Sequence, residues 1–430
     1  MANTQLKQTP TNTNSRQKFT VSFWLKRSKI SSEQCVWTTR SSGSANVLLR
    51  FNANDTFTFK DGAGDLNLIT SRVFRDTSAW MNIVLAVDTT QGTAANRAKI
   101  YLNGVQETSF GTETYPSQNT SLEINEAGNQ IWYIGSENSQ NYFNGLISYF
   151  AFVSGTQEVP GIFGETDSTT GEWKIKTTIT PSVGWGNNGF LILKNGNSVT
   201  DQSGSSNDFS YDGGTLTNTK DSPDNVFCVL NFLDTTRGLS NGNTTYLGAS
   251  SGTVVKGTLG MSSGKYYAEC KILSAAENMI GVLSMAQAPS TVYVGQTAVG
   301  WGMFGNGYIY NNGSSTGSPG NSFADNDIMG IALDMDNNKL YFSKNGVFLY
   351  SGDPTSGATG TGATSITSGL TMTFCGGRDS SSDTANFNFG NGTFGANAVA
   401  SEGTNASNNG IFEYDVPTGY TALSTKGLNL

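Results

Sequence analysis

Histidine is absent from all 430 residues, there are only four cysteines, and charged residues make up 13% of the chain. Without histidine no Ser-His or Cys-His nucleophile can be assembled, and the usual side-chain switch between pH 5 and 8 is missing. Cys35, Cys228, Cys270 and Cys375 are scattered, with no Cys-x-x-Cys pair. Zinc therefore lacks a ligand cluster, and buried reduced thiols are the expectation. The net charge is −8 and the pI about 4.7, and the longest basic run is the pair Lys26-Arg27. Nucleic acid needs a basic footprint, so it is not an expected partner. No apolar run approaches the ~20 residues of a membrane span. The polar start, MANTQLKQTPTNTNS, has no apolar core of the signal-peptide kind, so synthesis and folding in a cytoplasm are expected.

Glycine, by contrast, is plentiful at 52 residues, and short apolar runs alternate with Asn, Ser and Thr. That composition favours many short strands joined by turns. The clearest stretch is Asn326 to Leu349, NDIMGIALDMDNNKLYFSKNGVFL. It reads as two strands joined by a turn over Asp334–Asn338, followed by a second turn at Asn345-Gly346. Asn-Gly suits a type I′ turn because both residues tolerate positive φ. Leu340 and Phe342 share one strand face, while Lys339, Tyr341 and Ser343 share the other, so one face is expected in a core and the other is amphipathic.

The same pattern occurs once more upstream. Asn82–Asp88 matches Ile328–Asp334, Lys99–Leu102 matches Lys339–Phe342, and each copy is followed by Asn-Gly-Val. The upstream turn is longer, and the downstream copy inserts Ser343-Lys344 before its Asn-Gly. Two inserted residues preserve side-chain parity, where one would flip the strand's face. One unit used twice fits this pattern, although hairpins are common enough to match by chance.

Further strands are expected at Phe19–Leu25, Val47–Phe51, Thr56–Phe59, Leu66–Thr70, Ile131–Gly135 and Phe143–Val153. Residues 163–225 are rich in Thr, Asn, Ser and Gly yet contain Trp173, Trp185 and Phe190–Leu193, and they read as an ordered connector. A second set follows, at Phe227–Leu233, Gly264–Leu273, Met279–Ser284, Ala298–Phe304, Tyr308–Tyr310, Leu370–Cys375 and Ala385–Phe389. Strands this short and this frequent imply all-β, antiparallel sandwiches.

These residues carry a resemblance. Phe19–Trp24, Trp80–Val84, Lys99–Gly104 and Phe143–Ile147 resemble, in order, a laminin-G/concanavalin A-like jelly roll. Gly264–Glu269, Ile280–Val282, Val299–Trp301, Asp327–Gly330 and Phe342–Phe348 resemble a SPRY domain. The resemblance implies two concanavalin A-like sandwiches in tandem, over 1–162 and 226–430, with 163–225 between them. The tandem arrangement, with its connector Phe163–Trp173 and ending Pro417–Tyr420, is similar to structural proteins of tailed bacteriophages, those of marine hosts above all. It implies a virion protein assembled in the host cytoplasm, a tail fibre or adhesin component that meets a host-surface glycan or receptor and other virion proteins. A purely structural capsid-decoration or tail-assembly protein and a glycan-degrading tail enzyme are the alternatives. With no heptads or collagen-like repeat, the homo-oligomer implied by analogy with fibres, such as a trimer, would have to form through domain faces or another protein.

Glycoside hydrolysis needs two carboxyls facing one cleft. The nearest pair, Glu123 and Glu126, is three residues apart and falls on opposite faces of a regular strand, so no catalytic residue is assigned. The Asp334-x-Asp336-x-Asn338 turn lacks the Gly and Glu of a calcium loop, having Lys339 and Asn345 at those positions. No cofactor is expected, and a structural calcium in a rim loop stays open without assigned ligands. Sugar binding would use exposed aromatics and asparagines. The candidates are Trp132, Tyr133, Tyr142 and Phe143 in the first domain, and Tyr293, Trp301, Phe304, Asn306, Tyr308, Tyr310 and Asn312 in the second. For each single ring, core packing is the commoner role. The segment Phe304–Asn312 is the preferred binding site.

Overall fold

The computed structural model describes residues 3–41, 44–128, 130–194, 196, 198–249, 254–275, 277–288, 293–316, 321–378 and 383–429. These form two compact units, residues 1–216 and 217–430. The first is framed by nine strands: β1 (Lys18–Arg27), β2 (Gln34–Ser41), β3 (Ser44–Phe51), β4 (Thr56–Asp61), β5 (Asn67–Val73), β6 (Met81–Asp88), β7 (Ala98–Leu102), β8 (Ile131–Ile134) and β9 (Gly145–Ser154). Nine more frame the second: β10 (Lys265–Ser274), β11 (Met279–Ser284), β12 (Gly300–Phe304), β13 (Ile309–Asn311), β14 (Ser314–Thr316), β15 (Ile328–Asp334), β16 (Lys339–Lys344), β17 (Met372–Gly376) and β18 (Thr384–Asn388).

The two sets have one topology. In the first unit, one sheet runs β9-β1-β6-β7 and the other β8-β2-β3-β4-β5. In the second unit the same places are taken by β18-β10-β15-β16 and β17-β11-β12-β13-β14. Each neighbouring pair in these four runs is antiparallel. Alternation along each strand sends one face into a core between the sheets. Phe19, Val21, Phe23 and Leu25 of β1 lie in the first core, and Tyr266, Ala268, Cys270 and Ile272 of β10 lie in the second.

The duplicated hairpins, β6-β7 and β15-β16, match down to single bonds. Asn103 Oδ1 accepts from the backbone of Asn82 at 2.8 Å, and Asn345 Oδ1 accepts from that of Ile328 at 2.9 Å. Lys18 stands opposite Asp88 and Lys265 opposite Asp334, with ion pairs of 3.3 and 3.1 Å. The second face of β16, expected to be amphipathic, is covered: Tyr341 is buried beneath Phe412, Val416 and Tyr420.

Residues 163–225, read from sequence as a connector, mostly build onto the first unit. Phe190–Ile192 extends the β9 edge, Ser210–Tyr211 pairs with Leu6–Gln8, and Gly164–Thr166 pairs with Trp173–Ile175 to form a strap over the outer face of β6 and β9. The compact units divide after Leu216. Apolar side chains on both outer sheet faces need cover, and the segment following each sandwich supplies it. Among the described residues no helix is long and apolar enough to cross a membrane.

Candidate functional site

The sequence candidates separate by strand parity. Trp132 is fully buried, edge-on to Trp37 at 5.5 Å and to Phe152 at 4.9 Å, and Trp301 is 3% exposed in the second core. Neither ring has a face to offer a ligand, because each points inward from a strand whose alternate residues point out. Tyr133 is 7% exposed on the outer side of β8. Tyr142 and Phe143 are half-buried, with Phe143 packed against the first core. The first-unit candidates thus make no exposed aromatic platform.

In the second unit, β12 turns Trp301 and Met303 inward and Gly300, Gly302 and Phe304 outward. The outward glycines let the 293–295 loop lie flat on the sheet: a Cβ on Gly302 would stand 2.6 Å from Val294. That brings Tyr293 to Phe304 and Tyr310. Phe304 and Tyr310 are edge-on at 6.2 Å, and Tyr293 and Tyr310 at 6.5 Å. Asn306 and Asn312 are exposed on the turns at either end of β13, and Asn306 Oδ1 accepts from the backbone of Tyr308 at 3.0 Å. Tyr308 itself is half-buried.

Arg378 completes the patch. Its guanidinium carbon lies 4.4 Å from the Phe304 ring centre and 5.9 Å from that of Tyr293, and it pairs with Glu277. A buried anchor sets its position. Arg237 grips Asp383 through two bonds of 2.8 Å, both side chains fully buried, and also donates to the carbonyl of Arg378. The backbone amide of Arg378 donates back to Asp383 at 2.5 Å. Burial pushes the Asp383 carboxyl up, while Arg237 and the Arg378 amide pull the other way. Gly377 (φ 109°) permits the tight approach, since a Cβ there would meet Arg237 at 2.7 Å.

A guanidinium stacked on one half-buried ring, with two more rings, a carboxylate and exposed carboxamides around it, is a surface for flat polar ligands. Rings supply stacking area, and the charged and amide groups supply directional bonds.

The model of the Laminin_G_3 family, described as the concanavalin A-like lectin/glucanases superfamily, matches residues 2–159. The SPRY domain model matches residues 265–391. The chain carries the two domains in tandem. Among solved structures, the SPRY domain of human HERC1 is 17% identical, over 37% of this chain and 96% of that one, with a TM-score of 0.28. The TRIM65 PSpry domain is 16% identical, over 37% and 91%, with a TM-score of 0.29. None of the curated proteins compared with the chain matches it.

Sequence reasoning passed over Arg378, which follows a strand remote from Phe304 and reaches it only through the SPRY topology. It also passed over two sealed carboxyls. Asp61, at the end of β4 in the concanavalin A-like domain, is 2% exposed. Burial pushes it up to about 6 although it accepts from the backbone of Glu123 at 3.0 Å. Glu269, in the SPRY domain, is fully buried. Glu126, the other acid of the sequence pair, is held by Arg16 at 2.6 Å. Among the described residues, no group of three or more acidic or cysteine side chains is placed to hold a metal.

Proposed function

We propose that the chain is a non-enzymatic recognition protein at the surface of a tailed-phage particle, a tail fibre or adhesin component. It binds a host-surface glycan or protein through the Phe304–Tyr310–Arg378 patch of its SPRY domain. The observation that carries this reading is the anchored patch: half-buried rings and a stacked guanidinium held in place by the buried Arg237–Asp383 pair. Such preorganisation suits binding, because little side-chain freedom is left to lose. The tandem order of the domains and its likeness to phage structural proteins support a place on the particle. The non-enzymatic reading is supported by the carboxyls that burial raises, Asp61, Glu269 and Asp383, all being sealed from solvent.

A glycan array together with adsorption of the recombinant protein to a panel of bacterial cells tests the proposal. Binding is expected, and Arg378→Ala or Phe304→Ala should weaken it about tenfold or more while leaving the unfolding transitions in place. Binding to neither glycans nor cells, or binding that Arg378→Ala does not affect, would overturn it.

A further inference from the structure

The second strap, residues 403–416, lies across the outer face of the SPRY sheet, closed on itself by bonds from Gly403 to Phe412 and from Val416 to Thr404. Phe412 packs edge-on against Tyr267 at 5.1 Å, and Tyr414 sits over Gly346. Asn409 and the backbone of Ile411 fix one arm of it to Ala422, Ser424 and Gly390, and the arm that carries Glu413 and Tyr414 is tied through one side chain. Glu269 of β10 accepts from the consecutive backbone amides of Glu413 and Tyr414, each at 2.8 Å. Asn388 Nδ2 and Tyr267 Oη add bonds of 3.3 and 3.4 Å.

We propose that Glu269 is a proton-linked latch: closing the strap takes up a proton, and rising pH loosens it. The clamp is specific to a carboxyl, because two adjacent amides need two acceptor oxygens, and a glutamine has one. The surroundings give the sign. The neighbours of Glu269 are Tyr267 and Lys271 on its own strand, neutral Asn388 on β18, Gly330 and Ser343 on β15 and β16, and Glu413 and Tyr414 on the strap, with Asp327 acting on Tyr414. No cation pairs with Glu269 among the described residues. Burial therefore outweighs the four hydrogen bonds and pushes the carboxyl from 4.5 up to about 7.

With the strap lifted, Glu269 returns to water and to its ordinary range. Between the two values the closed form binds more protons, so closure is fully favoured below about pH 4.5 and loses this contribution as pH rises through about 7. Lifting this arm uncovers Tyr267, on which Phe412 packs. It also removes Glu413 from the wall of a cleft of about 250 Å³, where it stands with Lys271 and Leu273.

The strap of the first unit is an internal control. It is held by the Trp173 indole donating to the carboxamide of Asn82 at 3.2 Å, neither of which titrates. Hydrogen exchange of the whole chain at pH 5 and pH 8, corrected for intrinsic rates, tests the latch. Protection of the Glu413 and Tyr414 amides should fall about tenfold or more across that range, while that of residues 164–166 and 173–175 stays level. Glu269→Gln should lower protection and abolish its pH dependence. Protection of the wild-type amides that is flat or rises with pH overturns the latch, as does a wild-type slope retained in Glu269→Gln.

Discussion

The two hairpins β6-β7 and β15-β16 do the same mechanical work with different cover. Both close an asparagine side chain onto the start of the first strand, and both set a lysine against the aspartate that ends it. Both then place an aromatic ring from a later segment over the glycine of their Asn-Gly turn. A Cβ on Gly104 would lie 2.5 Å from Trp173, and one on Gly346 would lie 2.6 Å from Tyr414. Glycine thus serves each turn twice, through its positive φ and through the room it leaves. The straps carrying those rings lie outside the residues matched by the two family models, 2–159 and 265–391. The scaffold is shared, and the difference lies in how each outer face is sealed: neutral and indole-based in the first unit, carboxyl-based in the second.

The largest effect expected separates scaffold from site. Among the described residues each unit holds one fully buried arginine–aspartate pair, Arg27–Asp55 at 3.2 Å and Arg237–Asp383 at 2.8 Å. Removing one partner leaves an uncompensated buried charge, which costs about 3 to 5 kcal/mol. Asp55→Ala and Asp383→Ala should each destabilise their own unit by that amount in denaturant unfolding. Only Asp383→Ala should also lose ligand binding, because Arg378 is positioned through Asp383. Equal loss of binding in both variants would break the distinction between the units.

A smaller contrast is expected between the straps. Trp173 fills the space over both Gly104 and Gly164, whereas Tyr414 lies over Gly346. Truncating large aromatics costs about 3 to 5 kcal/mol in a core, and these rings are half-buried. Trp173→Ala should therefore cost about 2 to 3 kcal/mol, and Tyr414→Ala about 1 to 2. Thermal unfolding followed separately for each unit checks the order, and a reversal would mean that the Glu269 clamp depends on Tyr414 more than the packing implies.

The hairpins were legible because Asn-Gly and strand parity are local signals. The pairing of Lys18 with Asp88 and Lys265 with Asp334 then follows from register, once the strands are aligned. The straps were not legible. Residues 163–225 have the composition of a connector, and what makes part of them a strap is that Trp173 fits where Gly104 and Gly164 leave room, a relation no local window contains. The candidate patch was half legible. Phe304 and Tyr310 were named from one segment and do lie together, but Trp132 lies in Ile131-Trp-Tyr-Ile134, an unbroken apolar run whose lack of alternation hides which ring faces the core. Arg378 entered only through the sandwich topology.

The smallest contrast concerns the lysine that each duplicated unit places at the start of its central strand. Exposed ion pairs contribute about 0 to 1 kcal/mol, less when solvent screens them. The side chain of Lys18 is 41% exposed and that of Lys265 is 25% exposed, against aspartates at 9% and 0%. Lys18→Gln should therefore cost a few tenths of a kcal/mol, and Lys265→Gln about 1 kcal/mol. High salt should erase the first difference before the second, because the more buried pair is less screened. The aspartates behave otherwise. Asp334 accepts from the backbone of Asn337 at 2.9 Å and Asp88 from that of Thr90 at 3.0 Å, so each ties its own turn whether or not the lysine is present. If Lys265→Gln cost as much as removing Asp334, the lysine rather than the turn would be holding the hairpin, and the likeness between the two copies would rest on charge instead of backbone.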